Sequence, residues 1–298
     1  MKISGEITLE YVKSVAGGRV RNGHKGDFGK ILVIAGSKGM AGAAVLCGRA
    51  AFKAGAGLVC VSISEELFPI IQTALPEATC VPRRAAMQGL SAYGAIAIGP
   101  GLGDCPENKQ LVKYALNEYD KTVVLDADGL NALAWAGEAG AIKNAKASVI
   151  ITPHIGEARR LIGSERLKRE WPSEDVRSEA GRLKIAELLL AETGAIVVLK
   201  GAGSLVAGGD FGAYVNTTGN PGMATGGSGD VLTGIIAALS GQGKSPWDAA
   251  KAGVFIHGMA GDLAARAVGE YGMTASDIAD KTAFALKEIT AGGERDER

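Results

Sequence analysis

Short apolar runs rich in β-branched residues alternate along the chain with longer segments whose apolar residues recur at helical spacing. The short runs predict strands at residues 30–35, 58–63, 95–99, 122–126, 148–152, 195–200, 204–207 and 213–216. The longer segments predict helices at residues 41–54, 65–74, 107–118, 130–136, 156–162, 174–192, 229–239, 246–268 and 275–289. The first several strands are apolar on both faces, which is typical of strands that helices cover on both sides.

This alternation predicts an α/β fold in which a mostly parallel central sheet lies between two layers of helices. Because it runs unbroken, we expect a single domain over residues 1–298. The runs 204–207 and 213–216 predict an antiparallel hairpin at one side, with Gly208, Gly209 and Asp210 in its turn. The charged residues 164–178 are expected to form a surface loop, and residues 291–298 a frayed tail.

Composition and charge exclude some binding partners and some cellular locations. The 298 residues include 32 basic and 32 acidic ones, so there is no basic excess that would favour a nucleic acid or a membrane surface as partner. The first 21 residues lack the apolar region of a signal peptide, and no stretch approaches the ~18 apolar residues of a membrane-spanning helix. Cys47 and Cys60 lie in apolar runs and are expected in the core. These observations predict a soluble, cytoplasmic protein.

Glycine and polar residues collect where the predicted strands end. The chain has 44 glycines, about twice the usual share of ~7%. Five strands are followed by segments of this kind, at residues 36–44, 99–103, 126–131, 152–157 and 200–204. Ligands of parallel α/β sheets bind beyond the carboxyl ends of the strands, whereas packing alone would scatter such residues over both edges. The segments therefore predict a binding site at one edge of the sheet.

The segment NTTGNPGMATGGSGDVLTG (216–234) carries the most information about chemistry. Its glycines leave backbone N–H groups free just where the helical pattern begins, and a helix N-terminus attracts anions. Asp230 falls in the first turn, where the positive helix end favours its ionised form. A carboxylate beside amide donors suits phosphoryl transfer to a hydroxyl, since the carboxylate accepts the proton and the amides hold the charge. The alternative is a simple helix cap, which five polar strand ends make improbable.

The sequence does not match the other common nucleotide-binding motifs or the ligand spacing of a zinc site. Residues 36–39 have the wrong spacing for a dinucleotide-binding GxGxxG, and no Walker A sequence is present. His154 follows a strand end and is expected to contact a ligand. His257 is expected to be packed in a helix, and His24 is a weaker candidate for a phosphate contact. No His/Cys cluster has zinc-ligand spacing.

Taken in order, the motifs resemble those of a known family. They are HKGDFGKILVIAGS (24–37), MAGAA (40–44), AIGPGLG (97–103), LDADGLNAL (125–133), TPHIGE (152–157), VLKGAGS (198–204), NTTGNPGMATGGSGDVLTG (216–234) and GMTASDI (272–278). Over nearly the whole chain they resemble the ADP/ATP-dependent (S)-NAD(P)H-hydrate dehydratases of the ribokinase-like superfamily. The resemblance implies a ribokinase-like three-layer α/β/α sandwich. It also implies a nicotinamide nucleotide repair enzyme, a lyase that phosphorylates the ring hydroxyl of NADH or NADPH hydrate and eliminates phosphate.

The resemblance also implies site residues. Ala43, Gly103 and His154 would contact the hydrated dinucleotide, and Asp230 would face its reacting hydroxyl. The adenine nucleotide would lie against residues Lys200, Gly201, Ala202, Gly203, Ser204, Gly226, Gly227, Ser228 and Gly229. Mg²⁺ is expected with ADP or ATP. No residue is assigned as its direct ligand, but Asp126, Asp128 and Glu157 are candidates for its outer shell. The resemblance also implies a homo-oligomer, a tetramer, and a separate hydrate epimerase.

Two alternatives stay open at this point. A ribokinase-like kinase for a vitamin precursor, such as hydroxymethylpyrimidine or hydroxyethylthiazole, would share the GSGD segment but release a stable phosphorylated product. A nucleotide-binding regulatory module would bind without turnover. The sequence does not distinguish ADP from ATP, or NADH hydrate from NADPH hydrate.

Overall fold

The computed structural model describes residues 1–19, 21–163, 169–173 and 175–291. Part of the surface loop expected at 164–178, and all but the first residue of the tail expected at 291–298, therefore lie outside the described residues. The strands are β1 (Ile3–Glu6), β2 (Lys30–Ile34), β3 (Leu58–Ser62), β4 (Thr79–Val81), β5 (Ala95–Ile98), β6 (Thr122–Leu125), β7 (Ser148–Ile151), β8 (Ile196–Leu199), β9 (Leu205–Gly208) and β10 (Gly212–Val215).

These strands form one sheet in the order β1-β10-β9-β8-β7-β6-β5-β2-β3-β4. The seven strands from β8 to β4 run parallel, and β9 and β10 form the expected antiparallel hairpin beside β8. Its turn is Gly209-Asp210-Phe211, one residue later than predicted, because Gly208 still pairs with Gly212. The predicted α/β class and mostly parallel sheet are confirmed.

The helices that frame the site lie on both faces of the sheet. They are α1 (Leu9–Ala16), α2 (Ala41–Lys53), α3 (Phe68–Ala74), α4 (Arg83–Gln88), α5 (Pro106–Glu118), α6 (Ala127–Ala134), α7 (Ile155–Leu161), α8 (Glu179–Thr193), α9 (Ser228–Gly241), α10 (Pro246–Val268) and α11 (Ala275–Thr290). The pattern did not predict β1, β4, α1 or α4. Those strands have four and three residues, and β1 alternates partly buried with exposed positions around Gly5.

Two apolar cores lie on opposite faces of the sheet, and alternate residues of each strand enter one or the other. In β2, Ile31 and Val33 pack into the core that includes α2, α9 and α10, whereas Leu32 and Ile34 pack into the core of α5, α7 and α8. Period-two alternation of side chains between the faces of a strand explains this division. The three-layer arrangement follows directly, with the sheet as its middle layer.

Helix α9 is deeply buried next to the site. All of its residues from Val231 to Ser240 are buried. It approaches α2 so closely that a Cβ on Gly234 would lie 2.1 Å from the carbonyl oxygen of Cys47. Cys47 and Cys60 are buried, as expected. Among the described residues, no helix is both long and apolar enough to cross a membrane.

Candidate active site

The polar strand ends meet at the carboxyl edge of the parallel strands, as predicted. From one side to the other, residues 200–204 follow β8, 152–157 follow β7, 126–131 follow β6, 99–103 follow β5 and 36–44 follow β2. We refer to this line of loops as the site edge. The N-terminus of α9 lies over its middle, where Gly229 is placed between Lys200 and Asp126.

The N-terminus of α9 is open to an anion. Gly227 precedes the helix with a φ of 90°, a left-handed conformation that favours glycine, and no side chain in the described part of the chain caps the helix. The first-turn N–H groups have no partner within the helix, and the helix dipole adds partial positive charge there. A Cβ on Gly227 would meet Leu46 at 2.4 Å, whereas Gly226 has open space around it. The segment can therefore accept a phosphate beside Asp230.

Asp230 lies in the first turn of α9. Burial, followed by the nearby carboxylate of Asp126, raises its pKa from 3.8 to about 7, although Lys200 opposes the shift. The helix end by itself favours an ionised carboxylate, but burial and the surrounding acids outweigh it here. Asp230 is thus half protonated near neutral pH and poised to accept and release a proton.

Lys200 lies at the centre of a buried cluster of charges. Its Nζ lies 2.6 Å from Asp126 Oδ1 and 3.6 Å from Glu157 Oε2. Burial alone lowers the pKa of the Lys200 ammonium, but the carboxylates of Asp126 and Glu157 raise it above the ordinary value. A Cβ on Gly229 would lie only 3.2 Å from Nζ, so the glycine leaves room for the lysine beneath α9. The ammonium therefore balances the acids next to Asp230.

Asp126 and Asp128 point to different parts of the site from a tight turn. Asp126 is 1% exposed, and its Oδ2 accepts a hydrogen bond from Thr233 Oγ1 at 2.7 Å. Asp128 Oδ2 accepts from the N–H of Gly103 at 2.8 Å. Between them, Ala127 has a φ of 47°, in the left-handed region. Helix α6 begins here, three residues before the predicted start, and this places Asp128 in its first turn.

The loops after β2 and β5 contact each other at the predicted dinucleotide site. A Cβ on Gly101 would lie 2.8 Å from the Cβ of Ala43, and one on Gly103 would lie 3.1 Å from Ser37 Oγ. Gly101 and Gly103 have φ values of 56° and 84°. The glycines thus let the two loops approach closely, and the structure brings Ala43 and Gly103 to the same side of the site edge.

His154 caps the short helix α7. Its ring Nδ1 accepts hydrogen bonds from the backbone N–H groups of Gly156 at 3.0 Å and Glu157 at 3.3 Å. The backbone N–H of His154 donates to Glu157 Oε2 at 2.8 Å. The side chain is 53% exposed. The other ring nitrogen, Nε2, lies 3.4 Å from Glu157 Oε1. The ring is thereby held at the site edge, where its exposed part can contact a ligand.

Residues 200–204, which we call the nucleotide loop after their predicted ligand, depend on an arginine that the sequence analysis missed. Arg182 of α8 donates through Nη2 to the Leu199 carbonyl at 3.0 Å and through Nη1 to the Ala202 carbonyl. Ser204 Oγ donates to the Gly201 carbonyl at 3.1 Å. Burial lowers the pKa of Arg182. No local motif marks Arg182, because its partners lie 17 and 20 residues further along the chain.

The two remaining histidines have different positions. His257 is packed behind α9, as expected, with Nε2 3.3 Å from Ser228 Oγ, and burial lowers its pKa to about 4. It is therefore neutral at pH 7 and supports the glycine-rich segment. His24 lies at the surface beside Asp27, with Nδ1 3.3 Å from Asp27 Oδ2.

The acidic residues of the site already have hydrogen-bond or ionic partners. Asp126 binds Lys200 and Thr233, Asp128 accepts from Gly103, and Glu157 accepts from His154. In the ranges that the structure describes, no group of three or more His, Cys, Asp or Glu side chains is arranged to hold a metal ion. The donor set fits contact with a magnesium ion through water better than direct ligation.

Comparison with known proteins points to one family. A family model described as NAD(P)H-hydrate dehydratase matches residues 31–283. A bifunctional NAD(P)H-hydrate repair enzyme Nnr of Moorella thermoacetica is 40% identical over 296 residues, which cover 95% of this chain and 54% of that protein. An ADP-dependent (S)-NAD(P)H-hydrate dehydratase of Neisseria meningitidis is 37% identical over 277 residues, covering 91% of this chain and 90% of that protein.

A solved structure agrees with these relatives. The ADP/ATP-dependent NAD(P)H-hydrate dehydratase of Bacillus subtilis, co-crystallized with ATP and Mg²⁺, superposes with a TM-score of 0.82 at 31% identity. The match covers 97% of this chain and 99% of that one. The chain spans about half the length of the bifunctional relative, with 54% covered, but nearly all of the Bacillus protein. On the strength of the family match, this chain belongs to the NAD(P)H-hydrate dehydratase family.

Proposed function

We propose that the protein dehydrates the S form of NADH or NADPH hydrate with ADP or ATP as co-substrate. The observation that carries the proposal is Asp230, an acid with a pKa of about 7 in the first turn of a helix whose N-terminus is uncapped. A proton acceptor beside free amide donors is the arrangement that phosphoryl transfer to a hydroxyl requires. The names of the Neisseria and Bacillus proteins support the same reaction.

The layout of the site supports two neighbouring ligands. The adenine nucleotide would lie between the nucleotide loop and Gly226–Gly229, with its terminal phosphate at the N-terminus of α9. The hydrated dinucleotide would lie beside Asp230, against Ala43 and Gly103 after β2 and β5 and against His154 after β7. Asp230 then separates the phosphate donor from the acceptor hydroxyl, which is where a general base has to act.

The reaction runs in two steps on this layout. Asp230 accepts the proton of the ring hydroxyl as its oxygen attacks the terminal phosphorus, and AMP leaves from ADP or ADP leaves from ATP. The bond between carbon and the phosphorylated oxygen then breaks, inorganic phosphate leaves with the electron pair, and a proton is lost from the neighbouring ring carbon. The double bond of NAD(P)H is restored. Phosphorylation is needed because hydroxide is a far poorer leaving group than phosphate.

Magnesium would accompany the nucleotide phosphates and reduce their charge. Asp126, Asp128 and Glu157 would face it through water. Lys200 keeps Asp126 and Glu157 from repelling the phosphates, because its ammonium pairs with both carboxylates. The ATP and Mg²⁺ named for the Bacillus structure support this part of the proposal.

The wider setting is proposed on the same grounds. We propose a single domain over residues 1–298, which the one continuous sheet supports. A cytoplasmic homo-oligomer, a tetramer, would work beside a separate hydrate epimerase that converts the R form into the S form. The bifunctional name of the longer relatives supports a link between two repair activities.

Recovery of the reduced ring tests the proposal. Purified protein, ADP, Mg²⁺ and NADH or NADPH hydrate should restore absorbance at 340 nm, with one phosphate and one AMP released per ring. Asp230→Asn should lose at least about 10²-fold in turnover while still binding ADP. A stable phosphorylated product from hydroxymethylpyrimidine or hydroxyethylthiazole, without recovery at 340 nm, would favour the vitamin-precursor kinase. Binding of ADP without turnover of any of these compounds would favour a regulatory module.

A further inference from the structure

The site edge continues beyond the residues that the motifs mark. In the sheet, β5 is followed by β2, β3 and β4. Helix α4 begins at Arg83, two residues after β4 ends. From there the side chain of Arg83 extends back across β3 towards β2. Its Nη2 donates a hydrogen bond of 2.6 Å to the carbonyl of Gly36, in the loop after β2. Arg83 therefore lies beside the loop that leads to Ala43.

Arg83 is a half-buried cation that has no anionic partner among the residues that the structure describes. Its Nε is buried and has no hydrogen-bond partner, and no described carboxylate forms an ion pair with it. The hydroxyl of Ser62, at the end of β3, is also buried without a partner. Burial lowers the pKa of the guanidinium, although the charge is retained. A half-buried charge without a counter-charge is costly, so the position of the Arg83 guanidinium at the site edge indicates an anionic ligand.

The chemistry of that ligand follows from the direction in which the substrate must extend. The hydroxyl that reacts faces Asp230 near the end of β6, and the adenine nucleotide takes the side of β8. Ala43 and Gly103, two of the proposed dinucleotide contacts, follow β2 and β5, so the part of the dinucleotide that binds them extends past β5 and β2 towards β3 and β4. With strands about 4.8 Å apart, the end of β2 lies roughly 10 Å from that of β6. A ribose separates the nicotinamide from its phosphate over a comparable span.

We infer that Arg83 binds a phosphate group of the hydrated dinucleotide, as a specificity residue at the outer end of the substrate site. The inference rests on the proposed function for the direction of the substrate. A guanidinium forms short, charge-assisted hydrogen bonds with phosphate oxygens, and the Nη1 and Nη2 groups of Arg83 supply paired donors, of which the Gly36 carbonyl takes one hydrogen. The phosphate is either the pyrophosphate, common to both hydrates, or the 2′-phosphate of NADPH hydrate alone.

Steady-state kinetics of Arg83→Gln with both hydrates test the inference. The KM for NADPH hydrate should rise about 10- to 100-fold, whereas kcat and the KM for ADP change less than about threefold. An equal rise with NADH hydrate identifies the pyrophosphate, and a rise confined to NADPH hydrate identifies the 2′-phosphate. Arg84→Gln is the matched control, because it removes the same charge from an exposed neighbour. It should leave both KM values within about twofold.

Several results would overturn the inference. Unchanged KM values in Arg83→Gln would do so, as would an equal effect of Arg84→Gln. A fall in kcat together with a higher KM for ADP would reduce Arg83 to a support for the Gly36 loop. If Arg83→Gln does not fold, Arg83→Lys provides the comparison, since an ammonium keeps the charge but loses the paired donors. Its KM for the hydrate should then rise without a change in kcat.

Calorimetric titration with NADPH, the expected product, separates this inference from the proposed function. If the wild type shows no recovery at 340 nm, the proposed function fails whatever Arg83 does. A weaker binding of NADPH by Arg83→Gln than by the wild type would still support a phosphate contact. Equal binding by the two proteins would refute it.

Discussion

At the scale of single residues, the proton affinity of Asp230 decides how the reaction depends on pH. Its pKa of about 7 arises from burial and from Asp126, with Lys200 acting in the opposite direction. Because a base must be unprotonated, kcat/KM should rise about tenfold per pH unit below pH 7 and level off above it. A pH profile between 5.5 and 8.5 checks this prediction. A profile that is flat over that range would rule out Asp230 as the base.

Substitution of two neighbours of Asp230 should shift the midpoint of the pH profile of kcat/KM in opposite directions. Lys200→Met removes the cation that lowers the pKa of Asp230, so the midpoint should shift to higher pH. Asp126→Asn removes the largest charge that raises it, so the midpoint should shift to lower pH. Both substitutions also break a buried ion pair, for which a loss of about 3–5 kcal/mol of stability is expected. Thermal unfolding of each variant is measured first, and shifts in the same direction would contradict the proposed electrostatics.

At the scale of elements, the start of α9 requires glycine at position 227 but not at position 226. Gly227 has a left-handed φ, and a Cβ there would clash with Leu46, whereas Gly226 has open space. Gly227→Ala should therefore lose about 1–3 kcal/mol of stability and bind ADP more weakly. Gly226→Ala should stay close to the wild type. Urea unfolding and ADP titration compare the two, and equal losses would show that the clash is relieved elsewhere.

Most elements could be predicted because each carries its own hydrophobic pattern. The strand ends could be predicted too, since glycine and polar residues interrupt the apolar runs there. The roles of Thr233 and Arg182 could not be predicted in this way. Thr233 donates to a residue 107 positions away, and Arg182 binds carbonyl groups of a strand end, so neither contact leaves a local pattern. The pKa of Asp230 likewise depends on acidic residues in the segments that follow β6 and β7, which only the folded sheet brings together.

At the scale of the whole molecule, binding at the site edge should stabilise elements from both layers of helices. The nucleotide loop is held by α8, which packs in one core, and α9 packs in the other. ADP should therefore raise the melting temperature, with about 2.7 kcal/mol of stabilisation at a concentration of 100 Kd.

Two variants make this prediction specific. Asp230→Asn should keep the thermal shift, because it retains the amide groups of α9 and the nucleotide loop. Arg182→Gln should lose much of it, because the Leu199 and Ala202 carbonyls are no longer held. Thermal scans at several ADP concentrations give the measurement. Loss of the shift in Asp230→Asn, together with its retention in Arg182→Gln, would reverse the proposed roles.

The left-handed backbone of Ala127 has a consequence for directed evolution. Among the described residues it is the one non-glycine position with a positive φ, and it lies between the two aspartates that face the site. This conformation costs an L-residue about 1–2 kcal/mol, and glycine would relieve it. A library selected for heat resistance alone should therefore enrich glycine at position 127. A library selected for turnover should keep alanine. Its backbone is less flexible than that of glycine, and it therefore holds Asp126 and Asp128 in their different orientations.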